Sequence, residues 1–152
     1  MPNAKTPYKK IAFLASQKPE AQAALAQLEK TYGNCEPLGA DVIVALGGDG
    51  FMLETLRKHM DVIRTGTPVY GMNQGTIGFL MNAFNTENLR ERLQAAEPAK
   101  IRPLRMTAMA EGEKHQALAF NEVSLLRETR QAAHVRIHID NAVRMERLMA
   151  DG

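Results

Sequence analysis

The chain has 152 residues, enough for one good-sized domain, and an apolar fraction of 45% supports a real core. Charged residues make up 24% and the formal net charge is +2, an ordinary soluble balance. It excludes disordered and collagen-like classes and gives no case for a nucleic-acid surface. The single cysteine, Cys35, excludes an internal disulfide framework and a cysteine-built zinc site, so a reducing, cytoplasmic setting is expected.

Near the start, lysines precede "IAFLA", which has the look of a signal peptide but is too short for its apolar region. No stretch approaches the length of a membrane span. Ile11 to Ala15 reads as a short buried strand. Ala21, Ala24, Leu25, Leu28 and Tyr32 follow the 3.6-residue period, which predicts a helix over Pro19 to Tyr32 with Pro19 near its start. Val42 to Leu46 is a continuous apolar run bounded by glycine, as expected of a parallel strand covered on both faces. Met52, Leu53, Leu56 and Met60 mark the next helix. "TPVYGM" is a third strand, and Leu89, Leu93 and Ala96 mark a helix capped by Asn85.

Strands alternating with helices imply an α/β fold: an open, mostly parallel sheet with flanking helices over residues 1–100. After "EPAKIRP" the character changes, and residues 101–152 read as a β-rich segment, the start of a second domain. "LRMTAMAEGEKHQALAFNEVSLLRE" reads as two strands around an "EGEK" turn. Val135, Ile137 and Ile139 alternate with Arg136 and His138, a half-exposed strand, and Asp140–Asn141 suit a hairpin turn.

Two glycine-rich loops carry the chemistry. "GGDG", Gly47 to Gly50, follows the second strand and precedes a helix expected from Phe51 onward. Glycines there let the backbone approach a ligand closely, and a helix N-terminus behind them favours phosphate. In an open α/β sheet, ligands collect at the carboxyl ends of the strands. Asp49 is a poor phosphate ligand by charge, but it suits a general base for a hydroxyl or a magnesium ligand. The plain alternative is a left-handed turn with Asp49 as helix N-cap.

The second loop, "GMNQGTIGFL", follows the third strand. It is neither a Walker A nor a dinucleotide fingerprint, yet it combines Asn73, Gly75 and Gly78 with Phe79 and Leu80. Phe79 would serve either as ligand wall or as core. "FNEV", Phe120 to Val123, puts Asn121 and Glu122 in an apolar strand, a costly placement unless both are satisfied, or else an ordinary solvated face.

In this order, "GGDG", "NQGTIGFL" and "FNEV" resemble the motifs of the NAD kinase family, the ATP- or polyphosphate-dependent enzymes that phosphorylate NAD to NADP. The resemblance runs from the first strand to the closing "ADG". It implies that Asp49 is the catalytic base for the 2′-hydroxyl of the adenosine ribose. It also implies that Gly47, Gly48, Gly50, Asn73, Gly75, Gly78, Phe79 and Leu80 line the nucleotide site, and that Asn121, Glu122 and Asp151 hold NAD. Magnesium or another divalent cation would accompany ATP, with no metal ligands assigned to the chain itself. A homodimer or homotetramer is implied for the full-length protein, with no nucleic-acid or membrane partner.

Two departures stand out. Phe51 replaces the threonine that many members carry after "GGDG", and the family continues past "DG" into a "GSTAY"-type loop and a β-rich domain. The chain therefore reads as the N-terminal portion of such an enzyme. The competing readings are a non-catalytic NAD(P)- or nucleotide-binding fragment and a lipid kinase of the diacylglycerol-kinase type, which shares "GGDG". His59, His115, His134 and His138 lack metal-ligand spacing. The nine methionines read as soft core filler. Arg127, Arg130 and Arg136 read as a solvated edge, and Cys35 has no partner base.

Overall fold

The computed structural model describes residues 8–75 and 78–152; Thr76 and Ile77 of the second glycine loop lie outside the described residues, as do residues 1–7. The chain divides into two units, Met1–Arg102 and Pro103–Gly152.

The first unit is built around β2 (Val42–Leu46), every residue of which is buried, as a strand covered on both faces must be. It pairs in parallel with β1 (Ile11–Ala15) on one side and β3 (Val69–Asn73) on the other, and β3 pairs with the two-residue β4 (Asn82–Ala83). The sheet order is β1-β2-β3-β4. On one face, Val42, Val44, Leu46, Ile11, Phe13 and Met72 pack against α1 (Pro19–Tyr32) and α4 (Leu89–Ala95). On the other, Ile43 and Ala12 pack against Val62 and Ile63 of α3 (Met60–Arg64). The sheet is thus sandwiched between helices, the α/β arrangement expected.

Local sequence explains α1. Pro19 fills the first turn, Ala21, Ala24 and Leu28 form the buried stripe, and Gly33 ends the helix at φ 74°. Its last residue reaches into the next layer: Tyr32 donates its hydroxyl to the Thr86 carbonyl (2.7 Å) and accepts the Leu89 N–H (3.2 Å). Arg90 lies over the Tyr32 ring and donates to the Tyr8 carbonyl (2.7 Å). Arg92 lies over Tyr70 and donates to the carbonyls of Asn85 (2.7 Å) and Ala83 (3.1 Å). These contacts fix the far end of the second glycine loop against the sheet.

Four boundaries differ from expectation. α2 (Asp49–Lys58) begins at Asp49 rather than Phe51, and Met60 belongs to α3, because the backbone breaks at His59 (φ −109°, ψ 24°). The N-cap of α4 is Asn88, in the left-handed region at φ 49°, while Asn85 accepts the Glu87 N–H (2.8 Å) in a turn ahead of the helix. "FNEV" lies beyond β6 in irregular chain, with Asn121 and Glu122 exposed.

The second unit consists of two hairpins. β5 (Leu104–Ala110) and β6 (Glu113–Ala119) join through Glu111–Gly112, both with positive φ; β7 (Ala133–Ile139) and β8 (Ala142–Ala150) join through Asp140–Asn141, likewise both positive. Two consecutive positive-φ residues make the hairpin turn whose twist matches its strands. None of residues 103–152 is buried, and Met109, Met145 and Met149 are exposed, whereas Met52, Met72 and Met81 fill the core of the first unit. Arg127 pairs with Asp151 (2.8 Å) and Arg136 with Glu146 (3.1 Å).

The entry to β1 is held by Asp41, whose carboxylate accepts the N–H groups of Lys9 and Lys10, both at 2.8 Å. The Lys10 and then the Lys9 backbone bond hold its carboxyl below the usual range. Because the folded value is the lowered one, this clamp stabilises the fold above about pH 4, where an unfolded aspartate is ionised, and is lost as pH falls below it. Asp41→Asn should therefore lower the thermal midpoint at pH 7, and the gap from wild type should narrow as pH falls below about 4.

Candidate functional site

Both glycine loops leave the carboxyl ends of adjacent parallel strands. β2 and β3 are in register through Leu46 and Met72, and the Gly47 N–H extends the ladder by donating to the Met72 carbonyl (3.0 Å). Gly48 is the N-cap of α2 with extended backbone, and Asp49 is the first helical residue. No side chain caps this helix, so Asp49 is not the N-cap of the plain alternative. Nor is "GGDG" a left-handed turn, since Gly47, Gly48 and Gly50 all lie outside the positive-φ region.

The Asp49 carboxylate points across to the second loop instead. Oδ2 accepts the Phe79 N–H (2.9 Å) and Oδ1 accepts the Leu80 N–H (3.0 Å). The two loops that the sequence placed after successive strands are thus joined through one side chain. Asn73 ends β3 and its Oδ1 accepts the Gly75 N–H (3.2 Å). The Phe79 ring is fully exposed at 103%, so it is not a core residue, while Leu80 is half-buried.

The glycines are there for different reasons. A Cβ at Gly47 would lie 2.9 Å from the Phe51 Cβ, so Phe51, the departure from the family's threonine, packs over a position that must stay bare. A Cβ at Gly48 or Gly50 would meet nothing within 4 Å.

Beside Gly47, a crevice enclosing about 260 Å³, its mouth included, is lined by Ser16, Lys18, Asn73 and Gln74. Ser16, Lys18 and Gln74 were not singled out from sequence. The signal was available, because Ser16 follows β1 and faces the same end of the sheet as both glycine loops. The Ser16 hydroxyl is buried without a hydrogen-bond partner.

Asn121, Glu122 and Asp151 belong to the second unit. Within it, Asn121 and Glu122 are exposed, and Asp151 pairs with Arg127, whose N–H also donates to the Asp151 carbonyl (3.0 Å). Among the described residues no three His, Cys, Asp or Glu side chains converge as a metal site. No described helix is long and apolar enough to cross a membrane. Burial pushes the Cys35 thiol up, away from the thiolate a nucleophile needs.

A family model, the ATP-NAD kinase N-terminal domain, matches residues 3–100, the span that holds both glycine loops. The chain belongs to the NAD kinase family. The NAD kinase of Hyphomonas neptunium is 55% identical over 144 residues, covering 94% of this chain and 55% of the relative. That of Caulobacter vibrioides is 54% identical over the same length, with 94% and 54% coverage, and one from Xylella fastidiosa is 52% identical with the same coverage. The chain spans about half the length of the curated relatives it matches. Similarity to NAD kinases extends past the family model into the second unit, since it covers 94% of the chain.

An aromatic ring with no neighbours contributes little to folding. Phe79→Ala should shift unfolding stability by no more than about 0.5 kcal/mol in urea titration. A loss of about 3 kcal/mol or more, the cost of truncating a core phenylalanine, would show the ring to be packed.

Proposed function

We propose that this chain is the nucleotide-binding half of an NAD kinase, which phosphorylates the 2′-hydroxyl of the adenosine ribose of NAD to give NADP, with ATP or polyphosphate as donor. The observation that carries the reading is the setting of Asp49: a carboxylate at the carboxyl end of a buried strand, between two glycines where an added Cβ would meet no described atom within 4 Å. Glycine in a helix costs about 0.5–1 kcal/mol relative to alanine. At Gly50 neither backbone conformation nor a neighbour demands it. Close approach of a bound nucleotide accounts for that cost, and the exposed Phe79 ring offers it a stacking surface.

In this reading Asp49 takes the proton from the 2′-hydroxyl. The ribose oxygen then forms its bond to the terminal phosphoryl group of the donor as the bond to the leaving phosphate chain breaks. The chain's residues mainly position the reactants, as in other phosphoryl transfers. Magnesium fits as part of the donor: with no three-ligand cluster among the described residues, it would ride on the phosphates with its waters, where it neutralises charge. The Asp49 oxygens, each holding one N–H, keep acceptor capacity toward such an ion or toward the ribose hydroxyl.

Gly47, Gly48, Asn73, Gly75, Gly78 and Leu80 would frame the nucleotide with Phe79; Asn121, Glu122 and Asp151 are the second unit's own candidates for holding NAD. We place the enzyme in the cytoplasm, in NADP biosynthesis, and as a homodimer or homotetramer at full length. Exposed Leu118, Val143, Met145 and Leu148 of the second unit support further cover by protein.

General-base assistance is typically about 10²- to 10⁴-fold. Asp49→Asn, in a protein carrying this segment at its relatives' full length, should lose kcat by at least about 10²-fold in an NADP-forming assay. Near-wild-type turnover would remove Asp49 from the role of base. Gly50→Ala should act in two directions at once. It should stabilise the chain by about 0.5 kcal/mol in urea while weakening NAD binding in calorimetry. Unchanged NAD affinity would mean the open space at Gly50 faces no nucleotide.

A further inference from the structure

Gly78 stands apart from the other loop glycines. Space is what forbids a side chain: an ideal Cβ there would fall within the Asp49 carboxylate, onto Oδ1, Oδ2 and Cγ together. The next two residues, Phe79 and Leu80, are the ones whose N–H groups that carboxylate accepts, at 2.9 and 3.0 Å. Glycine and the two amides form one seat: Gly78 leaves the room, and the amides turn each oxygen to a fixed direction.

We infer that Gly78 is a positioning residue for Asp49: its missing side chain is needed to seat that carboxylate. The seat works in both directions. It fixes the carboxylate against rotation, and the carboxylate in turn anchors the segment that presents the Phe79 ring to solvent. For catalysis this rests on Asp49 acting as base; the seat itself does not. Asparagine at 49 has one acceptor oxygen and an NH2 group, so it can satisfy only one of the two amides and sets a donor against the other.

The experiment uses the 152-residue chain and needs no substrate. In the ¹⁵N-labelled protein, the amide protons of Phe79 and Leu80 should resonate downfield, as amides donating to a carboxylate do, and Asp49→Ala should move both upfield. Gly78→Ala should move them upfield too, with the amides of Val42 to Leu46 unchanged. Downfield positions retained by both amides in Gly78→Ala would overturn the inference.

Should Gly78→Ala fold poorly, a double-mutant cycle decides. Gly78→Ala should lower the thermal midpoint when Asp49 is present and leave it unchanged in an Asp49→Ala background, where the obstructing carboxylate is gone. An equal loss in both backgrounds would assign Gly78 to general packing and overturn the positioning role. A seat that passes both tests while NAD fails to bind would count against the kinase reading alone.

Discussion

Two backbone N–H groups and one carboxylate, separated by 30 and 31 residues, hold the functional end of the first unit together. Their meeting depends on the parallel register of β2 and β3. Because Leu46 stands opposite Met72 and the Gly47 N–H continues the ladder, both loops leave the sheet at one level. Asp49 could have capped its own helix, as aspartate commonly does. It is instead the first helical residue, and its side chain spans the gap to the neighbouring loop. A charge-assisted bond from a carboxylate to backbone N–H is stronger than a neutral one, and two such bonds give it direction as well. The far end of the same loop is held separately, by Arg92 and by the Asn82 side chain donating to the Gly71 carbonyl (3.0 Å).

The two units rest on different physics. The first encloses fully buried Leu28, Ile43, Leu46, Met72 and Leu89, enough for a packed core. The second has two hairpins whose turns are well specified, yet none of its residues is buried. A two-stranded hairpin is marginally stable at best in water without a surface to pack on. Val135 and Ile137 nevertheless alternate with polar neighbours as a half-covered strand should. That pattern is the one a strand with one covered face carries.

The elements legible in sequence were those whose signals are local. β1, α1 and β2 follow from apolar runs, a clean helical period, Pro19 and Gly33, and both hairpin turns follow from their residues. The misread boundaries had ambiguous local signals or depended on strand pairing. Gly50 weakens the helical pattern, so α2 seemed to begin after it. Asn85 and Asn88 are both plausible caps, and the choice fell to Asn88 in its left-handed conformation. "FNEV" has a strand's composition, but the β5–β6 ladder ends at Leu104 and Ala119, so Phe120 to Val123 have no strand to pair with there. Of the site, sequence showed that two glycine loops share one end of the sheet. The link between Asp49 and the amides of Phe79 and Leu80 left no trace, because a backbone N–H is the same in every residue that could stand there.

That last point separates the glycines by what each excludes. Gly47 makes room for Phe51, and Gly71 for Met52 and Met81, whose Cε and Sδ would each lie 2.5 Å from an added Cβ. Gly78 makes room for a carboxylate. These three are explained by the chain itself, and at Gly71 the Leu80 carbonyl, 2.9 Å from an added Cβ, would block one whatever the neighbouring side chains. Gly48 and Gly50 exclude no described residue. Selection for folding alone would favour alanine at Gly50, since the helix would gain and nothing would be displaced. Close packing therefore accounts for Gly47, Gly71 and Gly78, and leaves Gly50 as the loop glycine at which no described neighbour and no left-handed backbone calls for the missing side chain.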